Sequence, residues 1–385
     1  MNAPMDRVDV AIVGAGPVGA ALALLIAPTG RSVRVVEARG APSRDGRTLA
    51  LSQASRDLLE DAGGWPASGT TPIVDIHVSQ KAGPGRTLIT AAEQGLAALG
   101  YTVAYSTLEE KLAERLAASG AKISWGAACE AIELEAACAR LRLAGGGVVE
   151  ARLLVLADGG VNAKRIPGLA YSEKDYGQVA ITGPVHVDRP HGGRAYERFT
   201  PKGPVALLPV AERFALVWTA TPAEATRILA LDDGAFLAEL QAHFGDRAGR
   251  FVATGPRASF PLKLRSVNST VALRTVIAGN AAQAMHPIAG QGLNIGLRDA
   301  ASLAAILRDR SGSDPGAGEV LESYRGARRR DAARGIAFTD FLVGAFMDGR
   351  RLPTWGRGLA LTALDLLPPA RRWLANRMIH GSVSP

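Results

Sequence analysis

The chain has 385 residues, 47% hydrophobic and 21% charged, an ordinary balance for a soluble globular protein with room for two domains or one large one. No apolar run is long enough to cross a bilayer, and the short polar start MNAPMDRVD predicts no secretory signal. The net charge of +8 is uneven, because residues 308–385 contain 13 arginines, no lysine and eight acidic residues. No nucleic-acid motif or aromatic ladder accompanies this charge, so we expect no nucleic-acid partner.

The most regular segment is VDVAIVGAGPVGAALALLIAPTGRSVRVVEA, residues 8–38. A short apolar strand leads into Gly14, Gly16 and Gly19, a G-x-G-x-x-G motif that precedes an apolar helix and a second strand. The first glycine permits a tight turn, the second lets the backbone approach a pyrophosphate, and the third lets the helix pack on the strand. The helix dipole and the free amides then face the phosphates. This context indicates dinucleotide binding, with a merely structural βαβ unit as the alternative.

Three more residues near this motif are candidate cofactor contacts. Pro17 lies within the glycine-rich turn, and Glu37 ends the second strand, where a carboxylate can accept hydrogen bonds from an adenosine ribose. A basic loop and the helix SQASRDLLEDAG follow instead of another βα unit, which favours FAD over NAD as the bound nucleotide. Arg47 in that loop can reach a phosphate or the isoalloxazine edge, and a surface arginine is the alternative.

A second segment with glycines after a strand is ARLLVLADGGVNAKR, residues 151–165. Its buried strand RLLVLA ends in Asp158 and Gly159, where backbone can meet a bound cofactor. An Asp-Gly turn that merely ends a strand is the alternative, because such turns are common.

The third segment, AGNAAQAMHPIAGQGLNIGLRDA at residues 278–300, lies between an apolar strand and a long helix. The helix amides point into the loop and can stabilise the negative charge of a reduced flavin. The glycines allow the backbone to lie against the ring, and the asparagine after the strand can bond the ribityl or pyrophosphate part. The candidate contacts are Asn280, Pro287, Gly290, Gly292, Leu293 and Asn294.

Together the three segments resemble the FAD-dependent aromatic hydroxylases with the p-hydroxybenzoate hydroxylase fold, and more specifically the ubiquinone-biosynthesis hydroxylases of 2-polyprenyl-6-methoxyphenol. GNAAQAMHPIAGQGLNIGLRD is similar almost residue for residue. DGRTLALSQASRDLLEDAGGW, GRAYERFTPKGPVALLPV and SFPLKLR resemble other landmarks of that group. The wider family usually has Gly-Asp where this chain has Gly279-Asn280, and members of the ubiquinone group often carry Asn there, so the difference favours that group. The segment AYSTLEEKL lacks an arginine found in many relatives.

The resemblance implies a monooxygenase that hydroxylates the ring of a polyprenyl phenol. In that family NAD(P)H visits transiently and reduces FAD, O2 adds at C4a, and the phenol attacks the hydroperoxide. Because the cofactor carries this chemistry, no catalytic triad is expected. His286 is a catalytic candidate, and a structural role beneath Pro287 is the alternative. Two other functions remain open: a flavin hydroxylase of another small aromatic substrate, and a non-catalytic FAD-binding subunit of a biosynthetic complex.

The titratable residues predict no further site. We expect no metal, because the other histidines lack metal-ligand spacing: His77, His186, His191, His243 and His380. No acidic residue has the isolated apolar placement that marks a tuned general base.

The implied fold is α/β, with a Rossmann-like FAD-binding domain, an inserted antiparallel-sheet substrate domain and a C-terminal helical region. We place the FAD-binding domain at 1–72, 101–170 and 266–318, the substrate domain at 73–100 and 171–265, and the helical region at 319–385. Runs such as VAITGPVHV, GPVALLPV and RFALVWTA predict the substrate sheet. Its apolar inner face suits a polyprenyl tail, with a plain hydrophobic core as the alternative.

Residues 319–380 combine helical spacing of apolar residues with tryptophans and with arginines that include Arg328 and Arg371. A basic amphipathic helix with aromatic residues can lie on an anionic membrane, where a prenylated substrate resides. Packing on the FAD-binding domain, an oligomer interface and contact with other ubiquinone-biosynthesis proteins are the alternatives. We therefore expect a cytoplasmic protein, with peripheral contact to the inner membrane left open.

Overall fold

The structure, a computed structural model, describes residues 5–81, 85–200, 202–284, 291–329, 331, 362 and 365–380. The strands within these residues are β1 (Met5–Val13), β2 (Val33–Glu37), β3 (Thr48–Ser52), β4 (Thr70–Ile73), β5 (Asp75–Gln80), β6 (Arg86–Thr90), β7 (Gly100–Ala104), β8 (Lys122–Trp125), β9 (Cys129–Leu134), β10 (Ala139–Leu143), β11 (Val148–Leu156), β12 (Tyr171–Val187), β13 (Arg194–Phe199), β14 (Val205–Val210), β15 (Arg213–Ala220), β16 (Phe251–Thr254), β17 (Ala258–Val267), β18 (Val271–Ala272), β19 (Thr275–Ile277) and β20 (Gln283–Ala284). The helices are α1 (Pro17–Ile26), α2 (Gln53–Asp61), α3 (Tyr105–Ala118), α4 (Pro222–Leu229), α5 (Asp233–Phe244), α6 (Gln291–Asp309) and α7 (Pro368–His380). Residues 318–329 are also helical.

The first sheet gathers the sequence motifs at one edge. Its path is β18-β19-β11-β1-β2-β8, and the strands from β19 to β8 pair in parallel. Parallel strands end at the same edge of a sheet, so β1, β2, β11 and β19 bring four candidate residues together there. These residues are Gly14, Glu37, Asp158 and Asn280.

Helix α1 is apolar on almost every face because it is enclosed on all sides. It packs between the first sheet, α3 and α6, and its leucines and Ile26 are buried in the main core, except for Leu25, which is half-buried. Small residues on α1 permit this close packing. The helix therefore holds the glycine-rich turn that precedes it in a fixed position at the sheet edge.

The second sheet has nine strands, in the order β20-β17-β12-β15-β14-β13-β5-β6, with β16 also paired to β12. Its pairs are antiparallel except that between β13 and β5, which is parallel. The predicted antiparallel sheet thus contains one parallel pair. Strand β5 comes from a separate stretch of chain and meets β13 without a hairpin, so no tight turn requires the antiparallel direction.

One face of this sheet packs beneath α4 and α5, where Phe214, Trp218, Phe236 and Phe244 form a buried aromatic core. The other face points into a cavity. A third sheet, β3-β7-β4, packs against β14 of the second sheet and contributes Leu51 and Val103 to the core beside the first. Alternating side chains thus assign one face of the second sheet to stability and leave the other for ligands.

The predicted fold class is confirmed, while the domain boundaries stay a prediction. The C-terminal region differs from expectation in its charges. The side chain of Arg328 is only 1% exposed and pairs with Asp299 and Asp331, and Arg371 pairs with Glu93. These two arginines are therefore not part of a free basic surface. Among the described helices, none has the length and apolar character that a membrane crossing needs.

Candidate active site

A single cavity of about 1420 Å³ joins the motif edge of the first sheet to the open face of the second sheet and to α7. At one end it is lined by the glycine-rich turn and Glu37. At the other end it is lined by apolar residues, among them Ile76, Leu99 and Ile379. The volume exceeds that of an ordinary ligand pocket, so there is room for a large cofactor and a second molecule.

The glycine-rich turn has the geometry that its motif requires. Gly14 has a φ of +106°, and a Cβ there would lie 2.5 Å from the oxygen of Ala157. A Cβ on Gly19 would lie 2.0 Å from the oxygen of Gly14. Gly16 is different, because its nearest neighbour would be the Tyr105 hydroxyl at 3.5 Å. Gly16 and Pro17 line the cavity, whereas Gly19 serves the packing of α1.

Helix α1 begins with open amides beside the cavity. Its N-cap, Gly16, provides no side-chain hydrogen bond, and the first turn contains no acidic residue. Unpaired amides and the helix dipole favour a negative charge at this point. The turn is therefore suited to a phosphate group.

Both carboxylate oxygens of Glu37, at the edge of the cavity, accept hydrogen bonds from the protein. Its Oε2 accepts a hydrogen bond from Ala15 N at 2.8 Å, and its Oε1 accepts from the amide and Nε of Arg39, both at 3.0 Å. Burial opposes ionisation of Glu37, but the bonds from Arg39 and Ala15 outweigh it and hold its pKa below the ordinary value. The carboxylate is thus ionised and positioned, and ribose hydroxyls reach it only if the Arg39 guanidinium moves aside.

A second carboxylate, that of Glu109 on α3, also binds the Arg39 guanidinium. Its Oε1 accepts from Arg39 Nη2 at 2.7 Å, and it is fully buried. Tyr105 donates to Glu109 at 3.2 Å, and burial, followed by Glu109, raises the pKa of Tyr105 to about 12. A neutral tyrosine hydroxyl therefore lies beside Gly16, 3.5 Å from the position that a Cβ on that glycine would take.

Arg47 lines the cavity with an exposed side chain. Its guanidinium lies over the Tyr105 ring at 4.6 Å and pairs with Asp45 at 2.8 Å. Both contacts leave the arginine at the mouth of the cavity, so contact with a phosphate and a surface role both stay open.

The Asp158 carboxylate organises its own loop. It accepts from the amides of Gly160 and Asn162, at 2.9 and 2.8 Å. Asp158 and Gly159 both line the cavity. Arg265 on β17, which sequence reasoning did not single out, donates to the carbonyls of Gly159 and Asn280. It thereby ties two of the predicted segments together.

The third segment meets the cavity at both of its described ends. Asn280 is exposed there, and Gly292, Leu293 and Asn294 line it from the start of α6. The Asn294 side chain is buried, and its Oδ1 accepts from Ser52 N at 2.9 Å and from Ser55 Oγ at 2.7 Å. It fastens α6 to β3 and α2. Three candidates lie outside the described residues: His286, Pro287 and Gly290.

Sequence reasoning missed Glu197 on β13. Its carboxyl group faces the cavity among apolar side chains, which contradicts the expectation that no acidic residue has an isolated apolar placement. The available signal was strand alternation, since Ala195 and Phe199 share its face and Arg198 occupies the other.

A model described as "FAD binding domain" matches residues 7–339. This chain belongs to that FAD-binding family. It is 37% identical to the ubiquinone hydroxylase UbiL of Rhodospirillum rubrum, over 95% of this chain and 88% of that protein. It is 33% identical to the 3-demethoxyubiquinol 3-hydroxylase of Escherichia coli, over 78% and 79%.

Comparison with solved structures supports the fold. The p-nitrophenol 4-monooxygenase PnpA of Pseudomonas putida superposes with a TM-score of 0.77 at 17% identity, covering 99% of this chain and 100% of that one. The structure of PqsL from Pseudomonas aeruginosa gives a TM-score of 0.76 at 21% identity, covering 93% of this chain and 100% of that one. The family resemblance, the fold and FAD as cofactor are confirmed.

Residues of this chain fit FAD on structural grounds. The open side of Gly16 and the uncapped amides of α1 suit a pyrophosphate, and the ionised Glu37 suits a ribose. Among the described residues, none has an atom within 4 Å of a Cβ built on Gly292, so a flat ring can approach the start of α6. These features lie on one continuous cavity wall.

Proposed function

We propose that this protein is an FAD-dependent monooxygenase that hydroxylates the aromatic ring of a polyprenyl phenol in ubiquinone biosynthesis, with NAD(P)H as electron donor and O2 as oxidant. The observation that carries the proposal is the single cavity, which joins a dinucleotide-binding edge to an apolar compartment. The two relatives are named as hydroxylases of ubiquinone or a ubiquinol precursor, which supports the same substrate class.

The apolar compartment supports a prenylated rather than a small polar substrate. Its sheet wall includes Leu208, Val210 and Val217, and its far wall is α7 with Leu374 and Ile379. Burying an isoprenoid chain against these side chains is favourable by about 25 cal/mol per Å² of apolar surface. A substrate without a tail would leave this volume to water.

In the proposed reaction, FAD supplies electron transfer from NAD(P)H and the activation of O2. The proposed cofactor contacts are the predicted ones: Gly14, Gly16, Pro17, Gly19, Glu37, Arg47, Asp158, Gly159, Asn280, Pro287, Gly290, Gly292, Leu293 and Asn294. Among the described residues, the glycine-rich turn holds the pyrophosphate and Glu37 orients the ribose. The second sheet positions the phenol and excludes water from it.

We further propose that α7 and the residues before it meet an anionic membrane. Leu366 and Trp373 are 73% and 62% exposed, Leu367 is also exposed, and Arg372 stands beside Trp373. Exposed apolar side chains next to a basic residue suit the interface of an anionic bilayer. Trp373 also lines the cavity, so the same helix can admit a substrate tail from the membrane.

The test is a comparison of two phenols with the purified FAD-loaded protein. We expect 2-prenyl-6-methoxyphenol to accelerate NAD(P)H oxidation and to gain one oxygen atom from labelled O2. The untailed 2-methoxyphenol should react with a lower kcat/KM, because it leaves the apolar compartment empty. If no phenol changes the rate of NAD(P)H oxidation, the proposed hydroxylase activity is contradicted and a non-catalytic FAD-binding subunit is favoured.

Two controls separate failure of chemistry from failure of the cofactor site. The visible spectrum reports bound FAD before each assay. Gly16→Ala is expected to leave the fold intact but to weaken FAD binding, so it supplies a folded control that should lose turnover and yellow colour together. A wild-type protein that cannot be loaded with FAD would overturn the site assignment itself.

A further inference from the structure

Glu197 is the acidic group that the second sheet contributes to the cavity. In the sheet register it lies opposite Ala206 of β14 and Val78 of β5, and Ala195 and Phe199 flank it along the same face of β13. All four neighbours are apolar. The remaining exposed surface of Glu197 faces the cavity, which it lines, so the carboxyl group is directed at whatever molecule binds there.

The carboxyl group of Glu197 is unpaired within the described part of the chain. Among the described residues none gives it a hydrogen bond or an ion pair, and burial alone raises its pKa to about 7. A carboxylate desolvated without compensation is unfavourable, so it gains most from a ligand that donates a hydrogen bond. The alanines beside it leave space for a flat ring above the carboxyl group.

We propose that Glu197 accepts the hydroxyl proton of the phenol substrate while the ring is oxygenated. This inference rests on the proposed function and names a residue for it. The phenolic O–H bond breaks, its electron pair stays with the substrate oxygen, and a new O–H bond forms on the Glu197 carboxylate. Removal of this proton makes the ring more electron-rich at the moment when it must act as nucleophile.

Few other charged side chains line the part of the cavity around Glu197, so the role of proton acceptor falls to this residue. The other charged side chain that the second sheet places on the cavity is Arg213 of β15, at the start of its strand. β5, β6, β12 and β14 contribute none among the described residues, nor does α7. The remaining charged groups on the cavity belong to the nucleotide end: Glu37, Arg39, Asp45, Arg47 and Asp158. A base with a pKa near the working pH is also the most efficient kind.

The first arm of the test measures turnover against pH in the FAD-loaded protein. Glu197→Gln keeps the shape but cannot take up a proton, and Glu130→Gln, on the exposed side of β9, is the matched control. We expect kcat with 2-prenyl-6-methoxyphenol to fall by roughly 10² to 10⁴-fold in Glu197→Gln. The wild type and the control should also lose activity as pH falls below about 7, and Glu197→Gln should not.

The second arm measures binding, without NAD(P)H and therefore without turnover. The ligands are the phenol and its O-methyl ether, which has no proton to donate. Wild type and Glu130→Gln should bind the phenol roughly tenfold or more tightly than the ether. Glu197→Met, similar in length but apolar, should bind both ligands alike.

The outcomes separate this inference from the function on which it rests. A Glu197→Gln enzyme that keeps both the wild-type kcat and the activity loss at low pH would overturn the proton-acceptor role while leaving the hydroxylase in place. A wild-type protein that never oxygenates a phenol would overturn both. In that case, a preference for the phenol that Glu197→Met removes would still establish the contact, and equal binding of phenol and ether would exclude it.

Discussion

Asp299 and Arg328 form a buried ion pair, with Arg328 Nε 2.6 Å from Asp299 Oδ1. The other oxygen of Asp299 accepts the amide of Gly279 at 2.8 Å. Gly279 has a φ of +61° and directly precedes Asn280 at the cavity. The pair therefore fixes the turn that presents Asn280, and it connects this turn to the helical residues 318–329.

Arg328→Met should destabilise the protein by about 3–5 kcal/mol, because it leaves the Asp299 carboxylate buried without its partner. Denaturant unfolding of the FAD-loaded protein measures the loss. Arg329→Met is the matched control, since that arginine is exposed, and it should stay within about 0.5 kcal/mol of wild type. Equal stability of the two variants would contradict a structural role for the buried pair.

Two glycines of one motif should respond differently to alanine. Gly19→Ala places a Cβ 2.0 Å from the oxygen of Gly14, so α1 must shift, and both stability and FAD binding should fall. Gly16→Ala meets its nearest neighbour at an ordinary 3.5 Å and should fold normally. Its FAD dissociation constant should rise about tenfold or more, because the methyl group occupies the approach of the pyrophosphate. Melting temperature and FAD fluorescence distinguish the two effects.

Glu197→Gln should make the folded protein more stable at neutral pH. The pKa of Glu197 is about 7 in the folded protein, above the ordinary 4.5. The wild-type free energy of unfolding is therefore highest below pH 4.5 and declines as the pH rises from 4.5 to about 7. The decline amounts to at most about 3 kcal/mol. Unfolding curves should give wild type and variant equal free energies of unfolding at about pH 4. At about pH 8 the variant should have the larger free energy of unfolding. A variant that is less stable at both would indicate a structural role for Glu197.

Replacing the exposed apolar residues near α7 should weaken membrane binding. The triple variant Leu366→Ser, Leu367→Ser and Trp373→Ser removes side chains that each gain about 1.5–3 kcal/mol when fully buried. Flotation with anionic vesicles measures the bound fraction. Val252→Ser on β16 removes an exposed apolar side chain elsewhere and should bind as wild type does. Unchanged flotation of the triple variant would exclude this surface.

The local motifs were predictable because their chemistry depends on neighbours in sequence. Gly14, Gly16 and Gly19 each have the steric environment that the G-x-G-x-x-G pattern requires. The convergence of Glu37, Asp158 and Asn280 followed from the rule that parallel strands end at one edge. Their contacts with the cofactor stay a prediction.

The sequence could not indicate which side chains the tertiary fold brings together or keeps apart. Arg328 looked like part of a basic surface, because its partner Asp299 lies 29 residues earlier on a different helix. Glu197 is next to Arg198 in the sequence, yet strand alternation places the two side chains on opposite faces of the sheet. In both cases the decisive fact is which side chains the tertiary fold leaves near each other, and no local pattern records it.

The cavity that joins the two sheets and α7 also affects how the protein must be handled. Any single-chain amphiphile that fits between Leu374 and the sheet wall, including a detergent monomer, is expected to compete with the natural substrate for the same apolar volume. Solubilising a long-tailed phenol with detergent would then raise its apparent KM without changing kcat. Short-tailed phenols assayed without detergent avoid this competition.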